Sequence, residues 1–189
     1  MEPETLTQKE MEFILSQPSL ESAIGIRDKA MMELLYATGI RVSELTTLKL
    51  ADVNMNLGYI RCVNNKKERI IPIGRAAKKA LSNYLNSARS EFIKTNPSDY
   101  LFLTRLGDMM TRQGFWKTIK SYAQKAGIDK EITPHTFIHS FASHMVENGA
   151  DLKCLQEMLG HTALSTTQIY TNFTSKKLRS EYSKSHPRA

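Results

Sequence analysis

Apolar residues in this chain recur mainly at three- and four-residue intervals, a spacing that predicts helices. Thr7-Gln8-Lys9-Glu10 has the form of a capping box and opens a helix carrying Met11, Phe13, Ile14 and Leu15. A second helical run from Ala23 to Ala37 bears Ile24, Ile26, Met31, Met32, Leu34 and Leu35. Thr38-Gly39 breaks it, and a helix resumes from Val42 to Leu48. Turn formers fill Asp52 to Gly58. Two strands are then predicted, Tyr59 to Val63 and Arg69 to Ile73, about the basic tip Asn64-Asn65-Lys66-Lys67.

Gly74 to Lys94 reads as one long helix, with Ala77, Leu81, Tyr84, Leu85 and Ala88 inward and its lysines and arginines outward. Asn96-Pro97-Ser98-Asp99 is a loop before the short apolar piece Leu101-Phe102-Leu103. A helix from Met110 to Ala126 offers Phe115, Trp116, Ile119 and Tyr122 to the core. Pro134 suits the first turn of a helix ending at Asn148-Gly149, and Asp151 caps another running through Leu159. The tail from Lys176 to Ala189 is polar apart from Leu178 and Tyr182. The expected fold class is mainly α with a small antiparallel β-sheet (α+β), in a single domain without internal repeats.

With 189 residues, 41% of them hydrophobic, the chain is long enough for one ordinary domain with a real core. No apolar run reaches the length of a membrane span, and Met1-Glu2-Pro3-Glu4 is unlike a signal peptide. Lys and Arg total 26 against 19 Asp and Glu, a net charge of +7 that favours a polyanionic partner. Cys62 and Cys154 form no C-x-x-C pair and read as reduced thiols of a cytosolic protein.

Three segments carry candidate chemistry. Arg41, just after the Gly39 break, could reach from a helical N-terminal turn and clamp a phosphate; a blander reading pairs it with Glu44 on the surface. His135 stands in the first turn of the helix after Thr133-Pro134, where an anion is welcome, or is simply an N-terminal-turn histidine beside a buried, hydrogen-bonded His139. His161 and Tyr170 lie nine residues apart in Leu159-Gly160-His161-Thr162-Ala163-Leu164-Ser165-Thr166-Thr167-Gln168-Ile169-Tyr170. A phenol near an imidazole can act as a nucleophile beside a group that moves charge, whereas a lone tyrosine is commonly a half-buried aromatic. His135 and His139 at i and i+4 raise the question of zinc. No H-E-x-x-H motif and no well-spaced third ligand accompany them, so no metal is expected.

Ala37 to Leu45, the hairpin to Pro72, Thr111-Arg112-Gln113 with Phe115-Trp116, Thr133 to Phe141, Gly149-Ala150-Asp151-Leu152, Leu159 to Thr171 and the ending His186-Pro187-Arg188-Ala189 together resemble the catalytic domain of the tyrosine recombinases (the phage-integrase-like family), of the Xer branch and most like its XerD type. The resemblance implies a tyrosine recombinase catalytic-domain-like fold over 1–189. Residues 1–175 would be the core and 176–189 a tail that docks onto a neighbouring subunit through Leu178 and Tyr182. The family's N-terminal DNA-clamping domain would precede residue 1 and is expected to be absent. The implied active site has two arginines, a lysine, two histidines and a tyrosine, and needs no cofactor. Arg41 is its first arginine, His135 its proton-transfer histidine, His161 a support for the nonbridging oxygens and Tyr170 its nucleophile. The implied reaction joins Tyr170 to a DNA 3′-phosphate and frees a 5′ hydroxyl; a second strand's hydroxyl then reverses the step.

Two departures from the family pattern stand out. Its second arginine falls three residues after the first histidine, where this chain has Ile138. Positions 135 and 138 share a helix face, so Ile138 replaces a donor aimed at the same phosphate. Loss of one preorganised donor costs about 3–4 kcal/mol, or roughly 10²–10³ in rate. The family's hairpin also bears Gly-Lys-Gly, and the glycine-free tip here makes Lys66 the expected leaving-group lysine and Lys67 its alternative. The resemblance thus implies a Xer-like site-specific recombinase domain with impaired cleavage, or a non-catalytic partner module of such a complex. Expected partners are double-stranded DNA, through Arg41, Lys66, Lys67, Arg69, Thr111, Arg112 and Gln113, and related subunits in a tetramer, with no membrane. The expected location is the cytoplasm, at the nucleoid.

Overall fold

The computed structural model describes residues 5–64, 67–94, 97–160 and 176–189. Its first helix, α1 (Gln8–Leu15), begins where the capping box predicts: the Glu10 N–H donates to Thr7 Oγ1 (3.2 Å), and the Thr7 N–H to Glu10 Oε2 (2.8 Å). Met11, Ile14 and Leu15 turn inward, but Phe13 is 54% exposed because it lies on the opposite face of this short helix. Next comes α2 (Ala23–Thr38), capped by Ser22. Every residue from 30 to 40 is buried, so the latter half of α2 is enclosed on all sides. It packs against α1, α3 (Val42–Thr47), α4 (Arg75–Asn83) and α7 (Pro134–Glu147). Gly39, at φ +62°, ends α2 in the left-handed conformation, and α3 restarts after Arg41.

The sheet is antiparallel and three-stranded among the described residues, in the order β1 (Val53–Asn54), β2 (Tyr59–Asn64) and β3 (Lys67–Pro72). Asn64 pairs with Lys67, so both strands run one or two residues nearer the tip than expected. The helix expected from Gly74 to Lys94 is interrupted by a π-helical turn, Tyr84–Ala88, between α4 and α5 (Arg89–Phe92). A π turn advances the helix phase by about one residue. Arg89, expected outside, is consequently buried, with Nη2 donating to Ser98 O and Tyr100 O at 2.7 Å each and Nε to Leu101 O at 3.2 Å.

Then follow α6 (Arg112–Lys125), α7, α8 (Leu152–Leu159) and α9 (Lys176–Ser185). The tail differs from expectation at Tyr182, which is 3% exposed within its own chain rather than presented to a neighbour. Its hydroxyl donates to Ala37 O (2.9 Å) and accepts from the Gly74 N–H (3.0 Å), two backbone groups that would otherwise be buried without partners. His186 stacks on the Tyr182 ring at 4.9 Å, and Arg188 grips the buried Glu33 through Nε (2.8 Å) and Nη2 (2.5 Å). The Leu178 side chain and Asn96 of the expected loop lie outside the described residues. No described helix is long and apolar enough to cross a membrane.

Burial, reinforced by the Arg188 charge, pushes the His186 pKa down to about 4 despite its hydrogen bond with Tyr36 O. Between about pH 6.5 and pH 4 the unfolded chain therefore binds a proton that the native state refuses, so stability falls as pH falls. Urea unfolding at pH 5 should give a free energy lower than at pH 7.5 by on the order of 2 kcal/mol from this group. His186→Gln should weaken that dependence, leaving the part due to His144, whose pKa burial also lowers. Glu10 and Glu44, whose pKa values are lowered, contribute their losses only further into acid.

Candidate functional site

Arg41 is the residue between the end of α2 and the start of α3, in an extended conformation (φ −71°, ψ 150°) that turns its side chain outward. Glu44 reaches back from the first turn, and its Oε2 accepts the Arg41 N–H at 2.8 Å. The same carboxylate is gripped on both oxygens by Arg69: Nη1 donates to Oε1 (2.7 Å) and Nη2 to Oε2 (2.9 Å). Arg41 Nη1 is left 3.9 Å from Oε1, and the Arg41 side chain is 48% exposed. Glu44 thus holds the backbone of Arg41 while Arg69 occupies its charge, so the guanidinium of Arg41 stays available to an anion.

Burial opposes ionisation of Glu44, but hydrogen bonds and charge from Arg69, then the Arg41 N–H and charge, outweigh it and hold the carboxyl below its ordinary range. Burial likewise opposes the charge on Arg69, and Glu44 more than restores it. The pair is ionised and nearly out of water, with side-chain exposures of 12% and 8%. Arg69 therefore faces inward, contrary to the DNA contact expected of it: its place in β3 opposite Cys62 aims it beneath α3. Burial pushes the Cys62 thiol up to about 12, and no disulfide joins Cys62 to Cys154, both of which are buried.

The helix α7 brings the second group. His135 is exposed in its first turn, where Thr136 Oγ1 accepts the Thr133 N–H at 2.8 Å. The His139 ring lies 6.1 Å from it and is half-buried, short of the burial expected. His144, further along, is enclosed: its Nε2 donates to Leu6 O and its Nδ1 accepts from the Tyr36 hydroxyl, each at 2.8 Å. A carbonyl can only accept, so these bonds assign the Nε2–H tautomer.

Arg41 and His135 line one open cleft of about 290 Å³. Ile138 lines it too, one turn along α7 from His135, together with Arg112, Gln113 and Trp116 of α6. Val42 and Ser43 complete its wall beside Arg41. The arrangement can hold an anion between a guanidinium and an imidazole, with an apolar side chain where a further donor would fit. Arg112 and Gln113 are exposed at the mouth of α6, while Thr111 spends its hydroxyl accepting the Gly114 N–H at 3.0 Å. Trp116 packs against the core, as expected, but also lines this wall: it is half-buried, with Lys120 Nζ 5.3 Å from its ring centre. Its spacing of i+4 from Arg112 was the signal for a shared face. Lys66, His161 and Tyr170 lie outside the described residues, as does the side chain of Lys67.

A mainly helical domain whose Arg41 and His135 meet on one cleft defines a class, and comparison identifies it: the chain belongs to the phage integrase family, whose model matches residues 4–177. It has the fold of a tyrosine recombinase catalytic domain. It is 49% identical over 188 residues to the tyrosine recombinase XerD of Halalkalibacterium halodurans, covering 99% of this chain and 63% of that protein. Against XerD of Listeria monocytogenes serotype 4b the identity is 48% over 189 residues, covering 99% and 64%. The chain thus spans a little under two thirds of the length of these relatives. Among solved structures, the XerA recombinase superposes with a TM-score of 0.78 at 32% identity, covering 100% of this chain and 67% of the other. The XerH recombinase, captured on its difH substrate before cleavage, gives 0.73 at 25% identity, covering 89% and 50%.

Replacing Glu44 with glutamine should leave the Arg69 charge buried without its counterion. The expected loss is about 3 kcal/mol of unfolding free energy, or roughly 6–12 °C in Tm for a chain of this size, read by urea and thermal melts at pH 7.5.

Proposed function

We propose that this chain is the strand-cleaving domain of a Xer-type site-specific recombinase, acting on double-stranded DNA, and that Ile138 leaves its cleavage weak. The supporting observation is the cleft itself. Arg41 and His135, far apart in sequence, line it together, and Ile138 stands on the same wall at the position the family gives to a second arginine. In this reading Arg41 clamps the scissile phosphate, and His161 supports its nonbridging oxygens. Tyr170 attacks phosphorus, His135 serves proton transfer, and Lys66 (or Lys67) protonates the departing 5′ oxygen. The product is a 3′-phosphotyrosine bond, later attacked by the 5′ hydroxyl of a second strand. Bond energy is conserved in both halves.

Partner subunits belong to the proposal: related recombinase chains would assemble, four to a synapse, on paired DNA sites at the nucleoid, in the cytoplasm. Exposed Arg41, Arg112 and Gln113 would contact backbone or groove, with Lys66 and Lys67 at the hairpin tip. A second reading, favoured by the apolar Ile138, is a module that binds DNA and stimulates an active partner without cleaving.

Incubation with a nicked duplex carrying a Xer recognition site, followed by denaturing gels, should give little covalent adduct. Ile138→Arg should raise adduct formation by at least about 10²-fold, and Tyr170→Phe should abolish what it restores. Efficient adduct formation by the unaltered chain refutes the impairment. If Ile138→Arg forms none and Tyr170→Phe stimulates a partner's strand exchange as well as the unaltered chain does, the non-catalytic reading stands instead.

A further inference from the structure

Arg69 makes a contact that its ion pair with Glu44 does not require: Nε donates to the carbonyl of Met158 at 2.9 Å. We propose that Arg69 is a positioning residue of the cleavage site, one guanidinium fastening the Arg41-bearing helix to the C-terminal end of α8, immediately before His161. The inference rests on the functional reading above for its consequence, though not for its geometry.

Three observations carry it. First, the fork of the guanidinium is shared between two elements. Its two terminal nitrogens hold Glu44, whose Oε2 also binds the Arg41 N–H, and its third donor holds α8. Second, Met158 O belongs to the last turn of α8, where carbonyls have no intrahelical partner and the negative end of the helix dipole collects. A cation there caps the helix and fixes the direction in which the chain leaves it. Third, the residue after that helix is shaped to admit Arg69. Gly160 ends α8 at φ +76°, and a Cβ added to it would stand 3.3 Å from the Cδ, Nε and Cζ atoms of Arg69.

Arg69 itself sits on β3, two residues after Lys67, so the strand leading from the lysine-bearing tip shares this anchor. The hairpin, the Arg41 turn and the end of α8 therefore meet at one planar cation. Lysine can keep the charge opposite Glu44, but its single ammonium cannot reproduce a fork spanning two elements. A displacement of about 1 Å at a reacting centre lowers rates by roughly 10²-fold, which is how a residue outside the cleft can govern the chemistry within it.

The test uses Arg69→Lys, with Arg69→Met/Glu44→Gln as a second variant that removes both buried charges and so avoids an orphaned ion. In the Ile138→Arg background, single-turnover adduct formation should slow by at least about 10-fold. The Kd for duplex should stay within about twofold, and the slope of log Kd against log salt should not change. A rate equal to the parent's overturns the proposal. So does a weaker Kd with a slope smaller by about 0.9, the mark of a lost phosphate contact. Hydrogen exchange on DNA-free protein gives a readout independent of activity. In Arg69→Lys the Gly160 amide should exchange at least about fivefold faster relative to amides of α6, since its local opening is no longer restrained. If the Ile138→Arg parent forms no adduct, the functional reading fails and exchange alone decides; unchanged protection at Gly160 then overturns the positioning role.

Discussion

The approach of Gly39 to the ring of Phe141 is the contact on which the site depends. A Cβ on Gly39 would lie 2.4 Å from the Phe141 ring, closer than any side chain tolerates. Glycine is needed twice over, for that approach and for the left-handed φ that ends α2. Because Phe141 belongs to α7, this packing presses the break between α2 and α3 against the helix that carries His135. Arg41 emerges two residues after the break and His135 begins the helix below, so both reach the same cleft. The enclosure of α2 makes the arrangement stiff: its buried half cannot rotate without disturbing α4, α7 and the tail together.

Charge in this protein is divided between inside and outside. Arg27 grips Asp28 and donates to Leu103 O, and Asp28 also accepts from the Tyr122 hydroxyl at 3.0 Å. Arg69 holds Glu44, Arg89 satisfies three carbonyls, and Arg188 and Lys29 converge on Glu33, which is 1% exposed. Each of these cations is spent on folding. The net charge of +7 is therefore a fair guide to a polyanionic partner, while a roll of basic residues overstates the surface that could meet one. Arg69 is the instructive case, since a hairpin arginine near a basic tip reads as a phosphate contact until its neighbours are known.

Local signals were legible wherever chemistry within a few residues decides the outcome. The Thr7 to Glu10 box, the start of the helix expected from Met110, the Gly39 and Gly149 stops, and the two strands of the hairpin all fall where the sequence places them, within one or two residues. The family pattern brought Arg41, His135 and Ile138 together in expectation, and the cleft unites them. Less legible were features set by partners distant in sequence. The π turn at Tyr84–Ala88 exists beside a Tyr84 hydroxyl that donates to Leu101 O (3.0 Å), and it carries Arg89 inward. Trp116 packs against the core, as its core neighbours at 115 and 119 suggest; only the position of α7 decides how much of it remains in the cleft.

The sequence by itself determined the helices, the hairpin, the family and the anomaly at Ile138, because capping, turn chemistry and motif order are properties of short stretches of chain. Which arginine stays open to an exposed cleft and which is taken up by a carboxylate was decided by tertiary structure alone. Arg41 and Arg69 carry the same cation and differ in fate because Glu44 has only two oxygens, and β3 delivers Arg69 to both of them. Competition for a buried partner depends on geometry across the fold, which no local pattern encodes.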